Sequence, residues 1–191
     1  MSDRRISRRE AIQRVSLMLG GVALAGGDAL LTASVADSGN VFSDSDVALL
    51  DEIAETILPE TETPGAKAAG VGPFVAHMAG AAYDPDELNT FREGLETLQQ
   101  ECRSDHGVGF MEATPEQRLA LLQRLDREQL EHGRSGGDGT HYFSMMKQLT
   151  LLGYFTSEIG YTQAMRYRET PGRYDPCVPY TPGERTWARH A

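Results

Sequence analysis

The stretch that decides the fold is FSDSDVALLDEIAETILP, residues 42–59. It opens with a helix-capping pattern, because the Ser43 hydroxyl can accept a free backbone amide and Asp46 stands at the third helical position, from which a carboxylate reaches back to the cap. Apolar residues then recur at steps of three and four, the period of one helix face, at Val47, Leu50, Ile53, Ala54 and Ile57. Since Pro59 cannot continue this pattern, the sequence predicts a helix that ends just before it.

Two stretches further along the chain repeat these start signals. Residues 84–87 (DPDE) and 114–117 (TPEQ) each place a capping side chain before a proline, with an acidic or amide side chain at the third position. Behind each start the apolar residues again follow the helical period. They are Leu88, Phe91, Leu95, Leu98 and Cys102 in the first helix, and Leu119, Leu122, Leu125 and Leu130 in the second, which we expect to end near Gly133.

The rest of the chain completes an all-α pattern. We predict a short helix over residues 74–82, a long helix from about residue 140, and a further short helix over residues 157–166. No window shows the alternation that a strand needs. From residue 169 onward prolines replace helix formers, so the fold class we predict is a small all-α domain with an irregular C-terminal tail rich in proline and aromatic residues.

Composition limits the function classes. The 191 residues carry a net charge of −10, which argues against a nucleic-acid partner. Two cysteines exclude a CxxC zinc site, a haem-attachment CxxCH motif and an iron–sulfur cluster held by this chain alone. The chain also has no phosphate-binding GxxxxGK[ST], no GxGxxG after a strand, no HExxH and no GxSxG. We therefore expect no catalytic, cofactor-binding or metal-binding residues in this chain.

The first 36 residues have the order of an export signal. Residues 4–14 hold five arginines, residues 15–27 form a short apolar run interrupted by glycine, and residues 34–36 read Ser-Val-Ala. The residues Ser7, Arg8 and Arg9 match the twin-arginine pattern that is read by the export machinery for folded proteins. The sequence therefore predicts a twin-arginine signal peptide over 1–36 and a helical domain over 37–191, with a periplasmic or other extracytoplasmic location.

Two questions about this exported domain stay open at the sequence level. The leader is either cleaved near Ala36 or kept as an anchor, because the stretch from residue 15 to residue 36 reaches 22 residues with one charge. Outside the cytoplasm Cys102 and Cys177 can form a disulfide, and the alternative is two buried free thiols.

The aromatic residues of the C-terminal region point to a partner. A proline-rich tail cannot bury widely spaced tyrosines and a tryptophan in a domain of this size, and aromatic residues with nearby arginines are enriched in protein interfaces. We therefore predict a partner interface at Tyr161, Tyr167, Tyr174, Tyr180 and Trp187.

Three motifs carry a resemblance to a known family. They are LLDEIAETILPETETPGAKAAGVGP (residues 49–73), GYFTSEIG (residues 153–160) and PGRYDPCVPY (residues 171–180). Together with the leader they resemble the small subunit, also called gamma or subunit 3, of gluconate 2-dehydrogenase, over about residues 42–187. Between residues 84 and 139 no motif of that family is matched.

The resemblance implies a complex with division of labour. The large subunit is expected to be a flavoprotein of the glucose–methanol–choline type that binds FAD and oxidises a sugar or sugar acid. Electrons are expected to pass to a cytochrome c subunit with haem c, which can attach the complex to the membrane. The small subunit is expected to be a non-catalytic accessory chain whose leader exports the folded large subunit. Gluconate, other aldonates, fructose and glycosides stay open as substrates.

Other chemistry has weaker support. The five histidines have no metal-ligand spacing, and Ser157 beside Glu158 fits the cap of a short helix better than a nucleophile. An independent periplasmic binding or scaffold protein of the same fold is the alternative function, and a small serine hydrolase is a third.

Overall fold

The computed structural model describes residues 41–170 together with 172, 177, 179 and 181–188. The predicted signal, including Ser7, Arg8 and Arg9, and two of the predicted interface residues, Tyr174 and Tyr180, lie outside the described residues. Within the described part the chain folds into five α-helices and one π-helical turn, with no β-strand beyond a single isolated bridge. The predicted all-α class is confirmed.

The first helix, α1 (Asp44–Ile57), forms as its sequence predicts. The Ser43 hydroxyl accepts the Asp46 amide and the Asp46 carboxylate accepts the Ser43 amide, at 3.2 and 2.9 Å. These two bonds satisfy backbone groups that would otherwise be left open at the helix start. Phe42, directly before the cap, is buried and meets the Phe91 ring edge to face.

The proline-started helices also lie where the sequence places them. They are α3 (Pro85–His106) and α4 (Pro115–Ser135), each with a capping box, from Asp84 and Thr114 respectively. Helix α4 runs two residues beyond the predicted end because Gly136, in the left-handed conformation with φ of 67°, supplies its C-cap.

Helix α2 (Val71–Ala82) begins three residues before its predicted start at residue 74. Its own sequence has no capping side chain, since the cap position is Gly70 in the left-handed conformation. A residue on another helix replaces the cap, because the Asp51 carboxylate of α1 accepts the Gly72 amide at 2.9 Å. The residue that fixes the start of α2 is therefore far from it in the sequence.

The chain after α5 (Tyr142–Thr156) differs from the predicted short helix over 157–166. It forms a π-helical turn, Gly160–Ala164. The turn lies so close to α5 that a Cβ on Gly160 would overlap the Tyr154 carbonyl oxygen. Only glycine fits this approach.

One core joins the five helices. It includes Phe91, Leu95, Leu98 and Cys102 from α3, as their period predicts. The face predicted for α4 is partly wrong, since Leu119 and Leu130 are 47% and 46% exposed and the buried residues are Leu121, Leu122 and Leu125. Leu152 of α5 is likewise exposed. No helix of the described residues has the length and apolar character needed to cross a bilayer.

The segment after α1 is held by carboxylates of that helix. The Glu55 carboxylate accepts the backbone amides of Glu60 and Lys67, at 2.9 and 2.8 Å, which folds the loop over residues 59–70 back onto α1. A Cβ on Gly65 would overlap the same carboxylate. From the other side, the Tyr154 hydroxyl of α5 donates to the Pro64 carbonyl at 2.8 Å. The proline- and glycine-rich loop is thus packed against two helices.

Glu52 on α1 extends this network to α4. Its carboxylate pairs with Arg118 and, at 3.0 Å, with the Lys67 ammonium. The Arg118 guanidinium also donates to the carbonyls of Phe110 and Met111, at 2.8 and 2.7 Å. The mostly buried Arg118 side chain therefore links the connection between α3 and α4 to the first helix.

Glu55→Ala tests the role of these carboxylates. The change removes two hydrogen bonds to a charged acceptor, and such bonds contribute about 1.5–3 kcal/mol each when buried and less when partly exposed. We expect urea unfolding to show a loss of about 1–3 kcal/mol, and limited proteolysis to cut within residues 59–70. Glu62→Ala, on the exposed side of the same loop, is the matched control and should leave both readouts unchanged. Equal stability of the two variants would contradict the assigned role.

Candidate partner interface

The C-terminal segment is fastened to the domain through Arg166, which lies two residues after the end of the π-helical turn. The Arg166 amide donates to the Thr186 carbonyl at 2.9 Å, and the Ala188 amide donates to the Arg166 carbonyl at 2.8 Å. The Arg166 guanidinium pairs with Glu184 and lies 4.5 Å from the centre of the Trp187 ring, within the range of a cation–π contact. Residues 184–188 are therefore held against the domain.

This fastening leaves aromatic rings at the surface. Trp187 is 45% exposed although one face rests on Arg166, and Tyr167 is 47% exposed. Tyr161, on the π-helical turn, is half-buried and meets the Tyr167 ring edge to face with centroids 5.8 Å apart. We call Tyr161, Tyr167 and Trp187 the aromatic patch.

The aromatic patch contains three of the five predicted interface residues. Sequence reasoning did not single out Leu152 and Phe155, which are 46% and 39% exposed and lie one turn apart on α5. Arg166 is one of the arginines near the predicted interface residues, but its pairing with residues 184–188 was not foreseen, because it joins segments about 20 residues apart. The signal that was available is the high density of Tyr, Trp and Arg in this region.

The two cysteines lie in different surroundings. Both are free thiols in the structure, Cys102 buried on α3 and Cys177 exposed. Burial, with a smaller contribution from Asp105, raises the pKa of Cys102 and so disfavours its thiolate. Neither sequence-level alternative describes this arrangement, since no bridge joins the thiols and only one of them is buried.

Ser157 has a structural role in the geometry. Its hydroxyl donates to the Tyr154 carbonyl at 2.7 Å and accepts the Gly160 amide at 3.0 Å, so it caps the turn between α5 and the π-helical turn. This supports the capping role over the nucleophile. Within the described residues, no group of three or more His, Cys, Asp and Glu side chains is placed to hold a metal ion.

Two histidines meet at the connection between α4 and α5. His141 caps α5, because its ring Nδ1 accepts the Phe143 amide at 3.2 Å. Its ring stacks on Tyr142 and lies 5.7 Å from the His132 ring. Burial lowers the pKa of His141, the charge of His132 lowers it further, and Glu128 opposes both.

A polar cluster fastens α4 to α3 next to this pair. The Arg124 guanidinium contacts Glu101 and Asp105 of α3, at 3.1 and 2.9 Å, and Glu128 one turn along α4, at 3.0 Å. Sequence reasoning did not find this cluster, because its three acids come from two helices.

Taken together, the fold and its surface define a small helical protein whose most distinctive exposed feature is a fastened aromatic patch, as expected for a subunit of a larger assembly. The chain belongs to the gluconate 2-dehydrogenase subunit 3 family, whose model matches residues 44–172. It is thus an accessory subunit of the gluconate 2-dehydrogenase type. No curated protein and no solved structure matches the chain.

Thiol labelling tests the cysteine arrangement. We expect a maleimide to modify Cys177 rapidly in the folded protein and Cys102 only after unfolding, because Cys102 is inaccessible and its thiolate is disfavoured. Mass spectrometry of the unreduced protein counts the labels. Two labels after unfolding support free thiols, whereas none would show a disulfide between Cys102 and Cys177.

The cap at His141 predicts a pH dependence of stability. Because the pKa of His141 is lowered in the folded state, an unfolded histidine, whose pKa is about 6.5, takes up a proton at higher pH, so the unfolded state binds more protons as the pH falls through this range. We expect the stability of the wild type to fall, as pH drops from about 7 to 5.5, relative to that of His141→Asn. Asparagine keeps a cap acceptor but does not titrate. If urea unfolding gave the same stability difference between the wild type and His141→Asn at pH 7 and at pH 5.5, this role would be contradicted.

Proposed function

We propose that this chain is the non-catalytic small subunit of a periplasmic, FAD-dependent sugar or sugar-acid dehydrogenase complex, and that it exports, assembles and stabilises the flavoprotein large subunit. The observation that carries the proposal is the aromatic patch, which the domain holds in place but does not cover. Membership of a family of dehydrogenase subunits supports the choice of partner.

The physical argument concerns the exposed rings. Burying apolar surface stabilises an association by about 25 cal/mol per Å², and fully buried Trp and Tyr residues dominate many interfaces. Because Arg166 and the backbone bonds of residues 184–188 already order Trp187, docking would lose little conformational entropy at this side chain. An ordered and exposed aromatic ring is therefore well suited to recognise a partner.

The export part of the proposal depends on the leader. Ser7, Arg8 and Arg9 match the twin-arginine pattern, and that route carries folded proteins, so a leaderless large subunit bound to this chain would travel with it. In this proposal FAD belongs to the large subunit and haem c to a third, cytochrome c subunit. The twin-arginine machinery, the flavoprotein and the cytochrome subunit are then the partners.

Substitutions in the aromatic patch test assembly. We expect Trp187→Ala and Tyr167→Ala each to weaken binding of the flavoprotein by about 1–3 kcal/mol, which is roughly fivefold to more than a hundredfold in Kd, as for interface hot spots. Kd is measured by titration of the purified subunits, and the Tm of each variant is recorded. Leu130→Ala, which removes an equally exposed side chain on α4, is the control and should bind as the wild type does.

Two outcomes would contradict this assignment. If the wild-type chain does not co-purify with a flavoprotein encoded by a neighbouring gene, the alternative of an independent binding or scaffold protein gains support. If both proteins bind but the patch variants keep the wild-type Kd, the interface lies on another surface.

Export is tested separately. Replacing Arg8 and Arg9 with lysines should retain both the chain and its flavoprotein in the cytoplasm, because the export machinery requires the arginine pair. Fractionation followed by immunoblotting measures this. Since Arg4 and Arg5 form a second pair, the quadruple lysine variant is included, and normal periplasmic levels of that variant would contradict a twin-arginine route.

A further inference from the structure

A second surface of the domain has the features of a binding site. A cleft of about 360 Å³ lies between the start of α1 and the outer face of α3. Its floor is formed by three buried apolar side chains, Phe42, Leu49 and Leu95. The rim is polar and comes mostly from α3. The cleft is distant in sequence from the aromatic patch and takes no part in its construction.

Two arginines stand at the ends of this cleft. Arg92 and Arg103 are 11 residues apart on α3, which is three helical turns, so they belong to one helix face with their Cα atoms about 16 Å apart. Both are exposed, and neither guanidinium has a hydrogen bond or an ion pair with another described residue. By contrast, Arg118, Arg124 and Arg166 each bind at least one carboxylate of the domain.

The other polar groups of the rim leave these arginines available. Asp46 is occupied by the α1 cap, and Gln99 accepts the Phe110 amide at 3.0 Å. Glu96 lies one turn from Arg92, yet no ion pair joins the two. The cleft therefore offers two arginines that have no ion pair with any of the described residues, in a chain whose net charge is −10.

We infer that the cleft binds an acidic segment of the dehydrogenase partner subunit, with two carboxylates spaced to reach Arg92 and Arg103 and apolar side chains between them. This inference rests on the proposed function. Arginine binds carboxylates in a paired, planar geometry, which makes it frequent at interface hot spots.

The geometry favours this occupant over two others. The Cα atoms of the two arginines are about 16 Å apart, a span that suits a segment of a partner chain better than a single small anion. A second copy of the chain would bring another net charge of −10 toward the first, and such like-charge approach is unfavourable. A partner segment with carboxylates three helical turns apart meets both arginines at once.

The double variant Arg92→Glu/Arg103→Glu tests the inference in the complete complex. Exposed interface charges act mainly on the association rate, and their effect is screened by salt. We expect the association rate with the purified flavoprotein to fall about tenfold or more at 50 mM salt, and the difference from the wild type to shrink at 500 mM. The milder variant Arg92→Gln/Arg103→Gln should show the same trend at smaller size, and circular dichroism confirms folding of each.

A matched control separates local from global charge effects. Arg127 and Arg134 are also exposed, have no ion pair among the described residues and lie two turns apart on α4, so Arg127→Glu/Arg134→Glu changes the net charge equally. A loss confined to the cleft variant supports the inference, and equal losses or no loss would overturn it while leaving the proposed function intact. Failure of the wild-type chain to bind the flavoprotein would overturn both.

Discussion

The carboxylates on the first helix hold most of the domain in position. Asp51 supplies the start of α2, Glu52 binds Arg118 of α4, and Glu55 folds the loop over residues 59–70 onto α1. Each carboxylate accepts hydrogen bonds from backbone or guanidinium groups that are partly buried. Without these acceptors the donors would lose water without gaining a partner, which would lower the stability of the fold. The carboxylates of Asp51, Glu52 and Glu55 in the motif at residues 49–73 therefore have structural roles. Two glycines of the motif, Gly65 and Gly72, lie where a Cβ would overlap the carboxylates of Glu55 and Asp51.

This constraint explains which features could be predicted from the sequence. Helices α1, α3 and α4 carry their start signals in their own residues, so Ser43, Asp84 and Thr114 were sufficient to locate them. The start of α2 was missed because its acceptor, Asp51, is 21 residues away. The exposure of Leu119 and Leu130 was not predicted, because the apolar period of this helix fits two neighbouring faces equally well. In the structure the face with Leu121 is the one that packs against the other helices.

For the candidate interface, the sequence predicted the residue types but not their arrangement. The high density of Tyr, Trp and Arg in the C-terminal region predicted a partner surface. The contacts of Arg166 with residues 184–188, which hold that surface in place, join distant segments and have no local sequence pattern. The same limit applies to the cleft on α3. Its two arginines are visible in the sequence, yet only the structure shows that neither pairs with another of the described residues.

Interior and surface thus have separate roles in this subunit. The acids of α1 and the apolar faces of the helices build the domain, and we propose that the aromatic patch and the cleft bind a partner. Hydrogen–deuterium exchange of the chain, alone and with the proposed flavoprotein partner, is the measurement that tests this division. We expect new protection at residues 161–167, 184–188 and 92–103, with little change in residues 59–70, which are already held by Glu55. Unchanged exchange at residues 161–167 and 184–188 in a stable complex would contradict it.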